Sequence, residues 1–161
     1  MKGVLDIEFV LSVFLFLGTI SFITILIGRE SVSLQNSAIT DSMKSESYQI
    51  SQLLMFNKGN PETWESAAKS DTKRIGLSSG QDYILSGAKL AKLQQLCADD
   101  YNFVSGMLTT FNINITVKDL GGKVLYQCTP SFETLRRPKF ITERAALLNN
   151  DVVKLEVTVI G

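Results

Sequence analysis

Residues Phe9 to Gly28 read FVLSVFLFLGTISFITILIG, twenty residues in a row without a charge and with only the hydroxyls of Ser12, Thr19, Ser21 and Thr24 for polarity. Wound as a helix this block is about 30 Å long, the thickness of a bilayer's hydrocarbon layer. It also explains why a chain in which 20% of residues are charged has a mean hydropathy of +0.14. A cleaved secretory signal has a shorter apolar core, about 7–15 residues, and ends in small residues at a peptidase site. Here the run is longer and continues into Ile27-Gly28-Arg29-Glu30. An ordinary membrane anchor is the serious competitor to any more specific use.

The stretch before the block, MKGVLDIE, separates these readings. Positive-inside logic accounts for Lys2 but not for Asp6 and Glu8. A carboxylate at the lip of a transmembrane helix is costly unless a cation neutralises it. Arg29 lies at the far end of the helix, and Lys2 is six residues upstream with Asp6 nearer to it. A cut between Gly3 and Val4 creates a new α-amino group, which on a neighbouring subunit supplies the missing positive charge.

These residues resemble a known signal. Lys2-Gly3 followed by Val4-Leu5-Asp6-Ile7-Glu8-Phe9 is similar to the class III prepilin signal of archaeal type IV pilin-like proteins. In that family a very short leader ending in a basic residue and glycine is removed by a prepilin peptidase, the hydrophobic helix stays on the mature chain, and a glutamate stands fifth after the cut. Glu8 is fifth after Gly3. Val4 and Asp6 stand where the family usually has glutamine and serine. The resemblance implies Lys2, Gly3 and Val4 as the processing site and Glu8 and Phe9 as assembly residues. It implies a leader over residues 1–3, a transmembrane or filament-core helix over 4–28, and an extracytoplasmic head with its helical stem over 29–161. The segments Gly59-Asn60-Pro61-Glu62-Thr63-Trp64 and Arg74-Ile75-Gly76-Leu77 also look similar to stretches of archaeal pilin-like surface proteins.

Beyond Gly28 no proline or glycine interrupts the chain until Gly59. Val32, Ile39, Met43, Ile50 and Leu54 recur at helical spacing, so the helix is expected to continue to Phe56 and to end at Asn57-Lys58-Gly59-Asn60-Pro61. The 48 residues from Phe9 to Phe56 then span roughly 70 Å. The stripe reads as the wall on which the C-terminal domain packs. A short helix is expected at Pro61–Lys69, with Trp64 as a core anchor. A second, short amphipathic helix is expected over about Ala88–Tyr101, burying Leu90, Leu93, Leu96 and Cys97 while Lys89, Lys92 and Gln95 face water.

The remainder alternates as antiparallel strands. Asn112–Val117 and Val124–Cys128 flank the turn at Asp119–Lys123, and Phe140–Leu148 and Val152–Ile160 flank Asn149-Asn150-Asp151. The expected fold is α+β: a long N-terminal helix, transmembrane in its lower half and amphipathic above, packed on a small head with a short helix and an antiparallel sheet of about four strands.

Composition narrows the chemistry. The chain has no histidine, which removes the commonest general base and metal ligand and every Ser-His-Asp or Cys-His arrangement. Sixteen basic and sixteen acidic residues leave no net charge, so nucleic acid is not an expected partner. Two cysteines are too few for a structural zinc site without histidine. Cys97 and Cys128 read either as core thiols or, outside the cytoplasm, as a disulfide closing a loop of about 30 residues, a constraint of about 3 kcal/mol. Asn114-Ile115-Thr116 is a glycosylation sequon, for which a solvent-facing asparagine is the plainer reading. Asp99-Asp100 reads as a helix end, and Arg136-Arg137-Pro138 as a solvated loop. No nucleotide, metalloprotease or serine-hydrolase motif is present, so neither cofactor nor catalytic residue is expected.

The expected function is that of a structural subunit of a type IV pilus-like surface filament. Its partners would be identical or related pilin subunits, a prepilin peptidase, a membrane assembly platform and, before assembly, the lipid bilayer. The alternatives are a singly anchored surface binding or sensory protein that never polymerises, or a minor pilin or pseudopilin of a secretion or DNA-uptake system.

Overall fold

The computed structural model describes residues 2–130 and 137–161; the side chains of residues 2–6 and 28–37 lie outside that description. The chain forms α1 (Lys2–Phe56), a single 3-10 turn (Lys69–Asp71), α2 (Gly87–Leu108), β1 (Asn112–Asp119), β2 (Val124–Cys128), β3 (Lys139–Leu148) and β4 (Asp151–Ile160). The architecture is the expected α+β one. Two compact units divide it, Met1–Ile39 and Thr40–Gly161, and α1 contributes to both.

The helix ends where the turn residues stand. Asn57 N donates to Leu53 O (3.1 Å), Asn57 Oδ1 accepts from Gly59 N (2.7 Å), and Gly59 takes the left-handed φ of 94° that a side chain would resist. Within the second unit α1 buries Met43, Ile50, Leu54 and Met55. The expected stripe is corrected at Ile39, which is 47% exposed, and among the described residues burial on α1 begins at Met43; the Val32 side chain lies outside them. Ile39 is the last residue of the first unit.

The sheet has the order β2-β1-β4-β3, all neighbours antiparallel. Both expected hairpins form, and the pairing of β1 with β4 from Asn112↔Ile160 to Asp119↔Val153 fuses them into one sheet. The β3–β4 turn is two residues, Asn149 (φ 52°) and Asn150 (φ 71°), the left-handed pair that matches the twist of a tight hairpin. Ile113, Ile115 and Val117 of β1 and Val153, Leu155, Val157 and Val159 of β4 share one face and are buried. They form a single core with the buried face of α1, with Leu90, Leu93, Leu96 and Val104 of α2, and with Trp64, Ile75 and Leu77 from the loops.

Two helical expectations are corrected. Pro61–Lys69 is no α-helix but a series of turns, in which Trp64 N donates to Pro61 O (3.1 Å), Ser66 N to Thr63 O (2.9 Å) and Ala67 N to Trp64 O (3.2 Å). The tighter winding accompanies the fully buried Trp64, whose indole N–H donates to Gly76 O at 2.8 Å. Secondly, α2 runs 22 residues, with a non-helical break at Asp100 (φ −154°, ψ 83°). The expected end near Tyr101 is therefore a break after which winding resumes. Asp100 Oδ1 accepts from Phe103 N (3.0 Å), capping the second segment as an N-cap does.

Candidate functional site

In the first unit the uncharged block, with Ile7 and Glu8 before it, forms an apolar helical span, Ile7–Ile27, 21 residues of which none is buried. Phe9 is 71% and Phe14 73% exposed. Its two threonine hydroxyls bond back to the helix that carries them: Thr19 Oγ1 donates to Phe16 O and Thr24 Oγ1 to Ile20 O, both at 2.8 Å. A span so satisfied carries those hydroxyls into hydrocarbon without orphaned donors. Leu11, Phe14, Leu15, Phe22 and Ile23 surround Gly18 in a shallow groove of about 580 Å³, and the place of the missing Cβ is open. Close approach of a second helix uses such small residues. Glu8 and Phe9 are both exposed on α1, and among the described residues Glu8 has no ion-pair partner. Lys2, Gly3 and Val4 belong to the first turn of α1; their side chains, and that of Asp6, lie outside the described residues.

In the head, α1 meets the sheet through polar atoms as well as apolar ones. Ser47 and Ser51 are fully buried. Ser47 Oγ donates to Val157 O (3.1 Å) and lies 2.7 Å from Thr142 Oγ1. Ser51 Oγ donates to Tyr48 O and accepts from Arg144 Nε, each at 2.7 Å. The Arg144 guanidinium sits 4.6 Å from the centre of the Tyr48 ring, a cation–π stack. Its hydrogen bond, then that of Gln52, then its charge hold the Tyr48 phenol below its ordinary range. Thr109 donates to Glu46, tying the end of α2 to the same helix.

Lys89 overturns the expectation that it faces water. It is 5% exposed, and its Nζ donates to Lys58 O (2.6 Å) and Ser78 O (3.1 Å), joining the first turn of α2 to the two loops that cover the end of α1. Burial pushes its pKa down, partly offset by the nearby carboxylates of Glu65 and Glu62. A signal existed in the spacing: Lys89 stands four residues before Leu93 and eight before Cys97, in phase with the buried face. The same loops pack on backbone, since a Cβ on Gly76 would lie 2.2 Å from Asn57 O.

The remaining candidates fall apart from one another. Cys97 on α2 and Cys128 at the end of β2 are disulfide-bonded, Cα to Cα 5.4 Å. Asn114 lies in mid-strand on β1, half-buried, with its Oδ1 enclosed and without a hydrogen-bond partner among the described residues. Asp99 is exposed and Asp100 pairs with Lys69, so the two carboxylates do not share a site. Arg137 is exposed, while Arg136 lies outside the described residues. Among the described residues no group of three or more His, Cys, Asp or Glu is placed to hold a metal.

What the fold defines is an α+β head carried on a helix whose first half is apolar on every side. No family model, curated protein or solved structure matches this chain.

Proposed function

We propose that this chain is a structural subunit of a type IV pilus-like surface filament. One observation carries the reading: the 21-residue apolar helix is bare on every side and has a carboxylate, Glu8, at its lip. In the bilayer lipid would cover Ile7–Ile27, with the head outside the cytoplasm. On assembly the helices of other subunits would replace the lipid, so apolar contact is kept throughout. Prepilin peptidase would cut after Gly3, and an assembly platform in the membrane would lift the subunit out. Glu8 sets the register, because an unpaired carboxylate in an apolar bundle is costly and the α-amine of an adjacent Val4 relieves it. No catalytic role is proposed.

Intact mass of native assembled protein tests the processing step and is expected to give a chain starting at Val4; retention of Met1 would sink it. Glu8→Ala is expected to leave membrane insertion intact and to reduce sheared filaments at least about tenfold, the effect of roughly 1.4 kcal/mol or more per contact. Wild-type filament yield from that variant would remove the register mechanism. Protein that stays in the membrane fraction with its N-terminus uncut would instead mark the singly anchored surface protein.

A further inference from the structure

The two edges of the sheet are not equivalent. The β2 edge is five residues long and is tied to α2 by the Cys97–Cys128 bond. β3 is ten residues long and is the other outermost strand. Its C-terminal end is covered, because Leu147 donates to Tyr83 O (2.7 Å) and accepts from Leu85 N (2.9 Å). Leu147 thus turns its backbone groups outward, and by the two-residue period of a strand so do Ala145, Glu143, Ile141 and Lys139. None of these four makes an outward backbone hydrogen bond among the described residues. Seven residues of β3 are left as an open template of the kind that pairs with another chain.

The side chains along this edge select the partner. Lys139, Ile141, Glu143 and Ala145 share the exposed face, and Ile141 is 45% exposed. Glu143 stands directly opposite Glu156 within the sheet. Lys118 is paired with Glu156 at 2.5 Å, and Lys154, diagonal to Glu143 across the strands, makes no ion pair with it, so among the described residues Glu143 is left beside a like charge without a salt bridge of its own. Lys139 has no ion-pair partner among the described residues either. The two unpaired charges sit two residues to either side of Ile141. Laid antiparallel against itself about Ile141, the strand places Lys139 opposite Glu143 twice and Ile141 opposite Ile141, with every outward N–H and C=O facing a complement.

From this charge complementarity we infer that the β3 edge is a self-recognition surface, on which the heads of two copies join antiparallel about Ile141 into one continuous eight-stranded sheet. Each cross-strand Lys–Glu pair relieves a like-charge contact and closes the edge. The Thr40–Phe56 helices of the joined heads then run in opposite directions, since the two-fold axis is perpendicular to the sheet. The pairing uses neither Glu8 nor the apolar helix, so its test is separate from that of the filament reading; with helices opposed, the joined heads belong to different filaments or membranes rather than to neighbours in one.

The test uses the full chain in detergent micelles. Its two native cysteines are bonded to each other, so an introduced one is the only free thiol. Opposed residues of a hydrogen-bonded antiparallel pair are about 5.5 Å apart at Cα, within disulfide range. Ile141→Cys is therefore expected to give a covalent dimer on mild oxidation. Glu143→Cys is expected not to, because the two copies of residue 143 then lie about 14 Å apart along the strand. In the Ile141→Cys background, Lys139→Glu is expected to cut the dimer yield roughly fivefold by replacing two opposite-charge pairs with like-charge ones, and adding Glu143→Lys to restore it. Restoration also shows that the single variant had not misfolded. Equal cross-linking at 141 and 143, no dimer, or a Lys139→Glu loss that Glu143→Lys does not restore would each overturn the proposal.

Discussion

Thr19 and Thr24 in the lower part of α1 and Ser47 and Ser51 in the upper part place the same hydroxyl group on one helix, and its bonds go to different places. The lower pair return their protons to the carbonyls of Phe16 and Ile20. Above, Ser47 reaches Val157 and Thr142 of the sheet, and Ser51 takes a bond from Arg144. A helix meant for hydrocarbon, or for apolar neighbours, satisfies its polar groups within itself, because nothing outside can. A helix that walls a packed head can also spend the same group on its partner, as Ser51 does in accepting from Arg144 while its own proton returns to Tyr48 O. The two units of the chain accordingly obey different rules, and each rule can be broken without touching the other.

The largest expected effect is in the head. Trp64→Ala removes the largest fully buried side chain and the donor to Gly76 O, and is expected to cost about 3–5 kcal/mol of head stability. Chemical denaturation checks it, and membrane insertion of the same variant should be unaffected. Reduction of the disulfide, or Cys97→Ser with Cys128→Ser, opens a loop with a sequence separation of 31 and is expected to cost about 3–4 kcal/mol in the chain-entropy account. An unchanged denaturation midpoint would show that the bond constrains nothing.

The converse variant lies in the first unit. Ile20→Lys puts a charge in the middle of the apolar span and is expected to weaken insertion by about 3 kcal/mol while leaving the head's denaturation midpoint in place. A destabilised head would break the separation between the units. The smallest effect concerns pH. Lys69, followed by the Phe103 N–H, holds the Asp100 carboxyl below its ordinary value of 3.8. A depressed folded-state pKa gives stability that is present above 3.8 and is lost as pH falls through the folded value. Lys69→Met is expected to flatten the acid limb of the stability profile between those two values, with a small loss of stability at neutral pH that vanishes below the folded value.

How much of this was legible in the sequence follows from the range of the forces involved. The apolar span, the end of α1 at Asn57 and both hairpins are set by neighbours a few residues apart, and each lies close to where the pattern put it. The stretch from Pro61 to Lys69 has helix-forming residues, but burial of Trp64 against Gly76, twelve residues on, accompanies a tighter winding. Lys89 reads as a surface cation until two distant carbonyls meet at its Nζ. Ser47 and Ser51 stand among several other serines in the sequence, and only the folded sheet brings Val157, Thr142 and Arg144 to them.

By itself the sequence determined that a helix apolar on all sides precedes a mixed head, that a carboxylate stands at the lip of that helix, and that four strands alternate toward one core. These are consequences of periodicity and of where charge is absent, and both are local. Tertiary structure alone decided that β4 pairs with β1 and leaves β3 at an edge, which side chains of α1 bond across to the sheet, and that Lys89 is a buried clamp. Those outcomes rest on contacts between residues far apart in the chain, whose free energy exists only once the elements have met.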